Sequence, residues 1–186
     1  MMNTAATSKD AILDASRALI RQHGWSAVSI RAVAAACGVS VGCIYHYFSS
    51  KQELTGAVVE SVWHEIFLHP EDSAVFCSTQ SCICWMYRQI EAGAKKYPDF
   101  FTLHAIGFSA SEREGGRQRM QKMWLHIRQG LTSVLQRDPQ LRPDAFNDRF
   151  SAEAFADVLF SLLLSAVFRH DYDPSAVLEV IRRTVC

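Results

Sequence analysis

Residues 29–54 read SIRAVAAACGVSVGCIYHYFSSKQEL, and the reading of this stretch decides the fold. Ser29 suits an N-cap, because its hydroxyl can accept from an unpaired N–H of the first helical turn. Ile30, Val33, Ala34 and Cys37 then recur at helical spacing and form a narrow apolar stripe. Ala32, Ala34, Ala35 and Ala36 let that helix lie close against its neighbours. Gly38 falls where a helix end calls for a left-handed residue. Ser40 can cap a second helix almost at once. So short a connection implies a sharp crossing, the geometry of a helix-turn-helix.

In the second helix Ile44 and Phe48 are four apart and face inward, which leaves Gly42, Cys43, Tyr45, His46 and Tyr47 facing mostly outward. Tyrosine hydroxyls and a histidine ring N–H suit phosphate oxygens and base edges. Gly42 permits close approach of a sugar-phosphate backbone. Ser50-Lys51-Gln52-Glu53 is a capping box that opens the next helix. Lys51 in its first turn opposes the helix dipole, a conflict that a bound anion such as phosphate removes. Taken one at a time, these features also fit a helical hairpin whose aromatics are core; their combination is far more specific.

That combination resembles the N-terminal domain of the TetR/AcrR family of bacterial transcription regulators. The resemblance is carried by Ser29, Val33, Ala34, Cys37, Gly38, Val39, Ser40, Gly42, Ile44, Tyr45, Tyr47, Phe48, Ser50, Lys51 and Leu54. Ser29 stands where the family usually has Thr, Val33 where it has Ile, and Cys37 where it has Ala. The likeness covers roughly the first third of the chain. It implies a domain that binds double-stranded operator DNA through Ser29, Ser40, Val41, Gly42, Cys43, Tyr45, His46, Tyr47 and Lys51. In that reading Tyr45, Tyr47 and Lys51 touch phosphate, while Val41, Cys43 and His46 approach bases.

The chain has 186 residues and is 49% hydrophobic, enough for a packed core. Its 19 basic and 19 acidic side chains cancel, so the whole carries no nucleic-acid charge signature. Residues 1–55 are net +2, from Lys9, Arg17, Arg21, Arg31 and Lys51 against Asp10, Asp14 and Glu53, and the remainder is −2. The sign suits DNA at the N-terminal end, weakly. Met1 to Ser8 is polar, so no signal peptide is expected. The richest apolar run, Phe155 to Phe168, is broken by Asp157, Ser161 and Ser165 and is too short to span a bilayer. Six cysteines without a secretory signal fit a cytoplasmic protein with free thiols.

Outside the motif the periodicity is helical throughout. Thr7 and Asp10 look like an imperfect capping box for a helix over 8–23 that ends at Gly24, and Trp25 and Val28 should plug the core beneath the helix-turn-helix. The helix opened by Ser50 runs to about Leu68 and joins the reading domain, 1–55, to a second domain, 56–186. Further helices are expected at 79–96, 99–109, 118–137, 146–170 and 175–185, with a loose turn at Ser111–Gly116. The expectation is an all-α chain of about nine helices: an N-terminal three-helix helix-turn-helix domain, then a helical bundle for ligand binding and dimerisation.

His64-Glu65-Ile66-Phe67-Leu68-His69 nearly matches a zinc-protease motif, but the second His comes one residue late and cannot share a metal with the first. Cys77, Cys82 and Cys84 cluster without a nearby His or a repeated Cys-x-x-Cys. They read as small buried hydrophobes before a thiol sensor. No metal, cofactor or catalytic set is expected. Large apolar residues downstream suggest a pocket for an unidentified small-molecule effector at Trp63, Phe67, Trp85, Phe101, His104 and Trp124, with His126 a further polar anchor. The 146–170 helix is apolar nearly all round, which suggests a homodimer face at Phe155, Leu159, Leu163, Val167 and Leu178. The leading expectation is a homodimeric repressor released from DNA by a small molecule. A redox-sensing or constitutive DNA-binding regulator, a helical adaptor and an enzyme on a bundle are the alternatives.

Overall fold

The computed structural model describes residues 7–67, 73–98, 100–101 and 115–186. Eight α-helices run through them: α1 (Lys9–His23), α2 (Ile30–Ala36), α3 (Val41–Tyr47), α4 (Lys51–Phe67), α5 (Thr79–Lys96), α6 (Gly115–Arg137), α7 (Ala152–Arg169) and α8 (Ser175–Val185). Two 3-10 turns, Trp25–Ala27 and Ser73–Cys77, lie between them. The expected all-α class is what folds, with no strand among the described residues. Most of the helix expected at 99–109 lies outside the described residues; Phe100 and Phe101 are helical.

The chain divides into two compact units, Met1–Glu65 with Ala94–Gln121, and Ile66–Gly93 with Lys122–Cys186. The division falls inside α4, between Glu65 and Ile66. The first unit therefore takes in chain well beyond the 1–55 read from the sequence.

In the first unit α1 packs on α2, and α2 on α3. The cap of α1 is Ser8, whose hydroxyl accepts from the Ala11 N–H at 3.1 Å. Thr7, expected in that role, instead gives its carbonyl to the Tyr47 hydroxyl at 2.5 Å. Gly24 ends α1 at φ 75°, as read. At the start of α4 the Ser50 hydroxyl accepts from the Glu53 N–H at 3.1 Å. The return arm of that box reaches one residue further than expected, since Glu53 accepts from the Ser49 N–H and hydroxyl at 2.7 and 2.6 Å. Trp25 does plug a core, but against Phe100, 5.7 Å away between ring centres. Phe100 also packs on Phe101 at 5.2 Å, and Phe101 on Trp63 at 5.4 Å.

In the second unit Asp138, almost fully buried, accepts from the Thr79 N–H at 2.6 Å and so anchors the start of α5. Two bridges tie α6 to α7: Arg128 to Asp157 at 2.8 Å and Gln136 to Glu153 at 3.1 Å. Gly115 and Gly116, expected in a loose turn, are helical. α7 starts six residues later than expected, at Ala152. Asn147 decides this, because its side-chain oxygen accepts from the Arg149 and Phe150 N–H groups at 2.9 and 3.1 Å. That local turn competes with helix. The Ser151 hydroxyl then caps α7, accepting from the Ala154 N–H at 3.2 Å.

Glu65 is the polar hub of the first unit. Its carboxylate meets the Arg17 guanidinium at 2.8 Å, the Lys96 ammonium at 2.5 Å and the Tyr97 hydroxyl at 2.7 Å. Arg21 donates to the same tyrosine oxygen at 3.3 Å. Burial alone would push the Glu65 carboxyl up, but the hydrogen bonds from Lys96 and Tyr97 and the charges of Lys96 and Arg17 outweigh it and hold it below the ordinary value. Burial and the neighbouring Glu65 push Tyr97 up to about 12, so it stays a donor. Since the folded value of Glu65 is depressed, its stabilisation is fully present above the unfolded carboxylate value of about 4.3 and disappears as the pH falls through the lower folded value. Glu65→Gln should cost about 1–2 kcal/mol at pH 7. In paired urea melts, the gap between wild type and variant should close as the pH drops below about 4.3.

Candidate functional site

α2 and α3 are bent by 103° across the turn between them. The turn is built by backbone alone. The Val39 N–H bonds the Ala34 carbonyl at 3.0 Å, and the Gly38 N–H bonds the Ala35 carbonyl at 3.1 Å. This is the Schellman pairing, and it needs a left-handed residue in the middle. Gly38 supplies it at φ 66°. The Ser29 and Ser40 hydroxyls cap the two helices, accepting from the Ala32 and Cys43 N–H groups at 3.2 Å each. Behind them Ile30, Val33, Ala34, Ile44 and Phe48 are buried.

The outer face of α3 is bare. Val41 is 38% and Tyr45 48% exposed, and Ser40, Gly42, His46 and Lys51 are exposed as well. Cys43 is half-buried. Tyr47 is less free than the sequence implied. Its hydroxyl proton goes to the Thr7 carbonyl, and its ring meets His46 edge-on at 5.3 Å. Lys51 forms no ion pair among the described residues, so its charge is available to an outside anion. A Cβ placed on Gly42 would find only the Ser40 hydroxyl, 3.7 Å away, an ordinary contact. Neither packing nor backbone conformation within the chain asks for glycine there.

The second unit encloses an apolar cavity of about 110 Å³. Phe67 at the end of α4 lines it, with Phe76, Cys82, Trp85 and Met86 on one side and Met123, His126, Ile127, Gly130 and Leu131 of α6 on the other. Trp85 meets Phe67 at 6.0 Å and Phe76 at 5.7 Å, both edge-on. With the Gln89 amide turned to satisfy both neighbours, it accepts from the Trp85 indole N–H at 3.2 Å and donates to the Ile66 carbonyl at 3.1 Å.

Of the six residues expected around an effector, Phe67 and Trp85 line this cavity. Trp63 and Phe101 are buried in the first unit. Trp124 faces Phe160 at 5.9 Å, and His104 lies outside the described residues. His126 stands in the lining and is exposed. Four of the five residues expected at a dimer face, Phe155, Leu159, Leu163 and Val167, are buried within the second unit's own core, and Leu178 is half-buried. On α7 the exposed apolar residues are instead Val158 and Phe168, and on α8 Val180. An all-round apolar helix has no periodicity from which to tell the two sides apart. Burial pushes the Cys82 thiol up to about 12, so it is no thiolate sensor, whereas Cys77 is exposed. No cluster able to hold a metal occurs among the described residues.

Residues 12–58 match the family profile of bacterial regulatory proteins, tetR family. The HTH-type transcriptional regulator UidR of Escherichia coli (strain K12) is 32% identical over 59 residues, 32% of this chain and 30% of its own length. The matched stretch thus spans under a third of such curated relatives. Solved structures share the fold over nearly the whole chain. A transcriptional regulator from Rhodococcus sp. RHA1 superposes with a TM-score of 0.68 at 18% identity, covering 95% of this chain and 94% of that one. BioQ, crystallised with its double-stranded DNA operator, superposes with a TM-score of 0.61 at 16% identity, covering 94% and 93%. Residues 12–58 are thus similar to the N-terminal DNA-binding domain of the tetR family of bacterial regulatory proteins.

Because the folded chain has room for a methyl group at position 42, Gly42→Ala should stabilise the protein by about 0.5–1 kcal/mol through helix propensity. A rise in the urea midpoint with an unchanged slope is the expected readout. A fall would mean that the glycine serves the fold.

Proposed function

We propose that the chain is a DNA-binding transcription regulator that acts as a homodimer and leaves its operator when a small molecule fills the second unit's cavity. The observation that carries the reading is the uncommitted outer face of α3: a glycine no internal contact requires, between exposed Ser40, Val41, Tyr45, His46 and Lys51. In this reading Lys51 and Tyr45 hold phosphate, and Val41, Cys43 and His46 reach base edges. Tyr47 accepts from outside donors only, or positions Tyr45 and His46 through its bond to Thr7. The likeness to BioQ, which was crystallised on operator DNA, supports the same use of the fold.

A seven-residue helix is only about 10 Å long and reads a few base pairs. A dimer reading two half-sites about 34–36 Å apart supplies the missing specificity. Val158 and Phe168 on α7 and Val180 on α8 offer the apolar surface for it. α4 carries Lys51 at one end and Phe67 at the other, so a ligand against Phe67 touches the same helix that holds Lys51. Ligand and operator then oppose each other reciprocally, by about 1–3 kcal/mol. The thiol-sensing alternative has Cys77 in its favour but not Cys82.

Lys51→Ala should weaken binding to all DNA sequences about equally and lower the salt slope by roughly one unit. Gly42→Ala should weaken operator binding while the protein grows more stable. Operator affinity unchanged in both variants would reject the α3 interface. For the dimer, Val158→Glu and Phe168→Glu should give folded monomers in light scattering, whereas Leu163→Glu should unfold the second unit. Folded dimers from both surface variants would move the interface elsewhere.

A further inference from the structure

We propose that the second unit's cavity takes a small, uncharged molecule about one aromatic ring in size, and that Gly130 sets its upper limit. The proposal rests on the reading of this cavity as the effector site and names the ligand class.

Size is the first argument. An apolar cavity of roughly 150 Å³ is known to admit benzene. The space here is about 110 Å³, so a single ring fits only if the flexible Met86 and Met123 give slightly. A second fused ring exceeds this space and would have to extend out past the mouth.

Charge is the second. Among the described residues, His126 and the Cys82 thiol are the titratable side chains in the lining, and no carboxylate, lysine or arginine lines it. A carboxylate or ammonium group taken into such a site loses its hydration without gaining a partner. Phe67, Phe76 and Trp85 already meet edge-on, an arrangement that a further ring extends. The Trp85 N–H is taken by Gln89, which leaves exposed His126 as the partner for one hydroxyl or carbonyl on the ligand. Cys82 is buried and burial favours its thiol form, which disfavours covalent attack on a ligand.

Gly130 is the third. It lies well inside α6, where glycine disfavours helix, and a Cβ there would meet nothing within 4 Å. It is exposed and lines the cavity, so it stands at the mouth. Any larger residue would narrow the entrance.

The test uses the full chain, with phenol, benzoate and 1-naphthol as probes, and follows binding by saturation-transfer NMR and by the shift in Tm. Phenol should bind at least tenfold more tightly than benzoate or 1-naphthol and raise Tm. Gly130→Leu, and Ile127→Phe as a second filling variant on the same helix, should each weaken phenol at least tenfold while the proteins stay folded. Benzoate or naphthol binding as well as phenol, or phenol affinity unchanged in both variants, would overturn the proposal. Operator affinity measured in the same samples separates the two readings. Phenol binding that leaves operator affinity unchanged rejects release by ligand and keeps the cavity assignment. Phenol failing to bind rejects the cavity assignment and leaves DNA recognition by α3 standing.

Discussion

The left-handed turn at Gly38 is the constraint on which the first unit depends. A helix of seven residues is unstable by itself in water. α3 is such a helix, and inside its own span it buries Ile44 alone. It persists because the turn before it is closed by two backbone hydrogen bonds and Ser40 caps its first turn. Its far end is fixed too: Phe48 is buried beneath the Lys9 ammonium, 5.4 Å above the ring, and Tyr47 bonds back to Thr7. Held at both ends, α3 can leave its middle uncovered. No atom lies within 4 Å of a Cβ on Gly38, so the demand for glycine there is purely one of backbone conformation.

The same unit needs more core than three short helices provide, and the chain supplies it from a distance. Tyr97, Phe100 and Phe101 arrive from beyond α5, and the rings of Trp25 and Trp63 pack against them. Glu65 adds a polar tie to the same segment through Lys96 and Tyr97. A carboxylate with three close donors is well satisfied, and its attachment to both α1 and the end of α5 explains why the compact unit extends so far past residue 55.

Local signals in the sequence were legible and long-range ones were not. The two serine caps, the glycine turn and the inward positions of Ile44 and Phe48 depend on neighbours three or four residues away, and they folded as read. The start of α7 was misread, because Asn147 offers the backbone a competing turn inside an apolar stretch. The inward face of α7 was unreadable for a related reason: Val158 and Phe168 are as apolar as Leu159 and Leu163, and only packing separates them. The cavity was half legible. Aromatic content pointed to Phe67 and Trp85, but nothing in the pattern separated them from Trp63 and Phe101. Gly130, which lines the cavity, had no turn in the sequence to explain a glycine well inside an amphipathic helix.

Gly42 and Gly130 can be reasoned about together. Each sits in a helix, where alanine would be the more stable choice. At neither does a Cβ meet anything tighter than ordinary contact, and neither has the positive φ that makes Gly38 necessary. A residue that costs stability without serving the fold is most simply explained by something outside the fold. At Gly42 the vacant space opens onto the outer face of α3, where a duplex backbone would approach. At Gly130 it opens onto a cavity whose walls suit a ring. The two positions lie in different compact units, and each leaves space where the proposed reading puts another molecule.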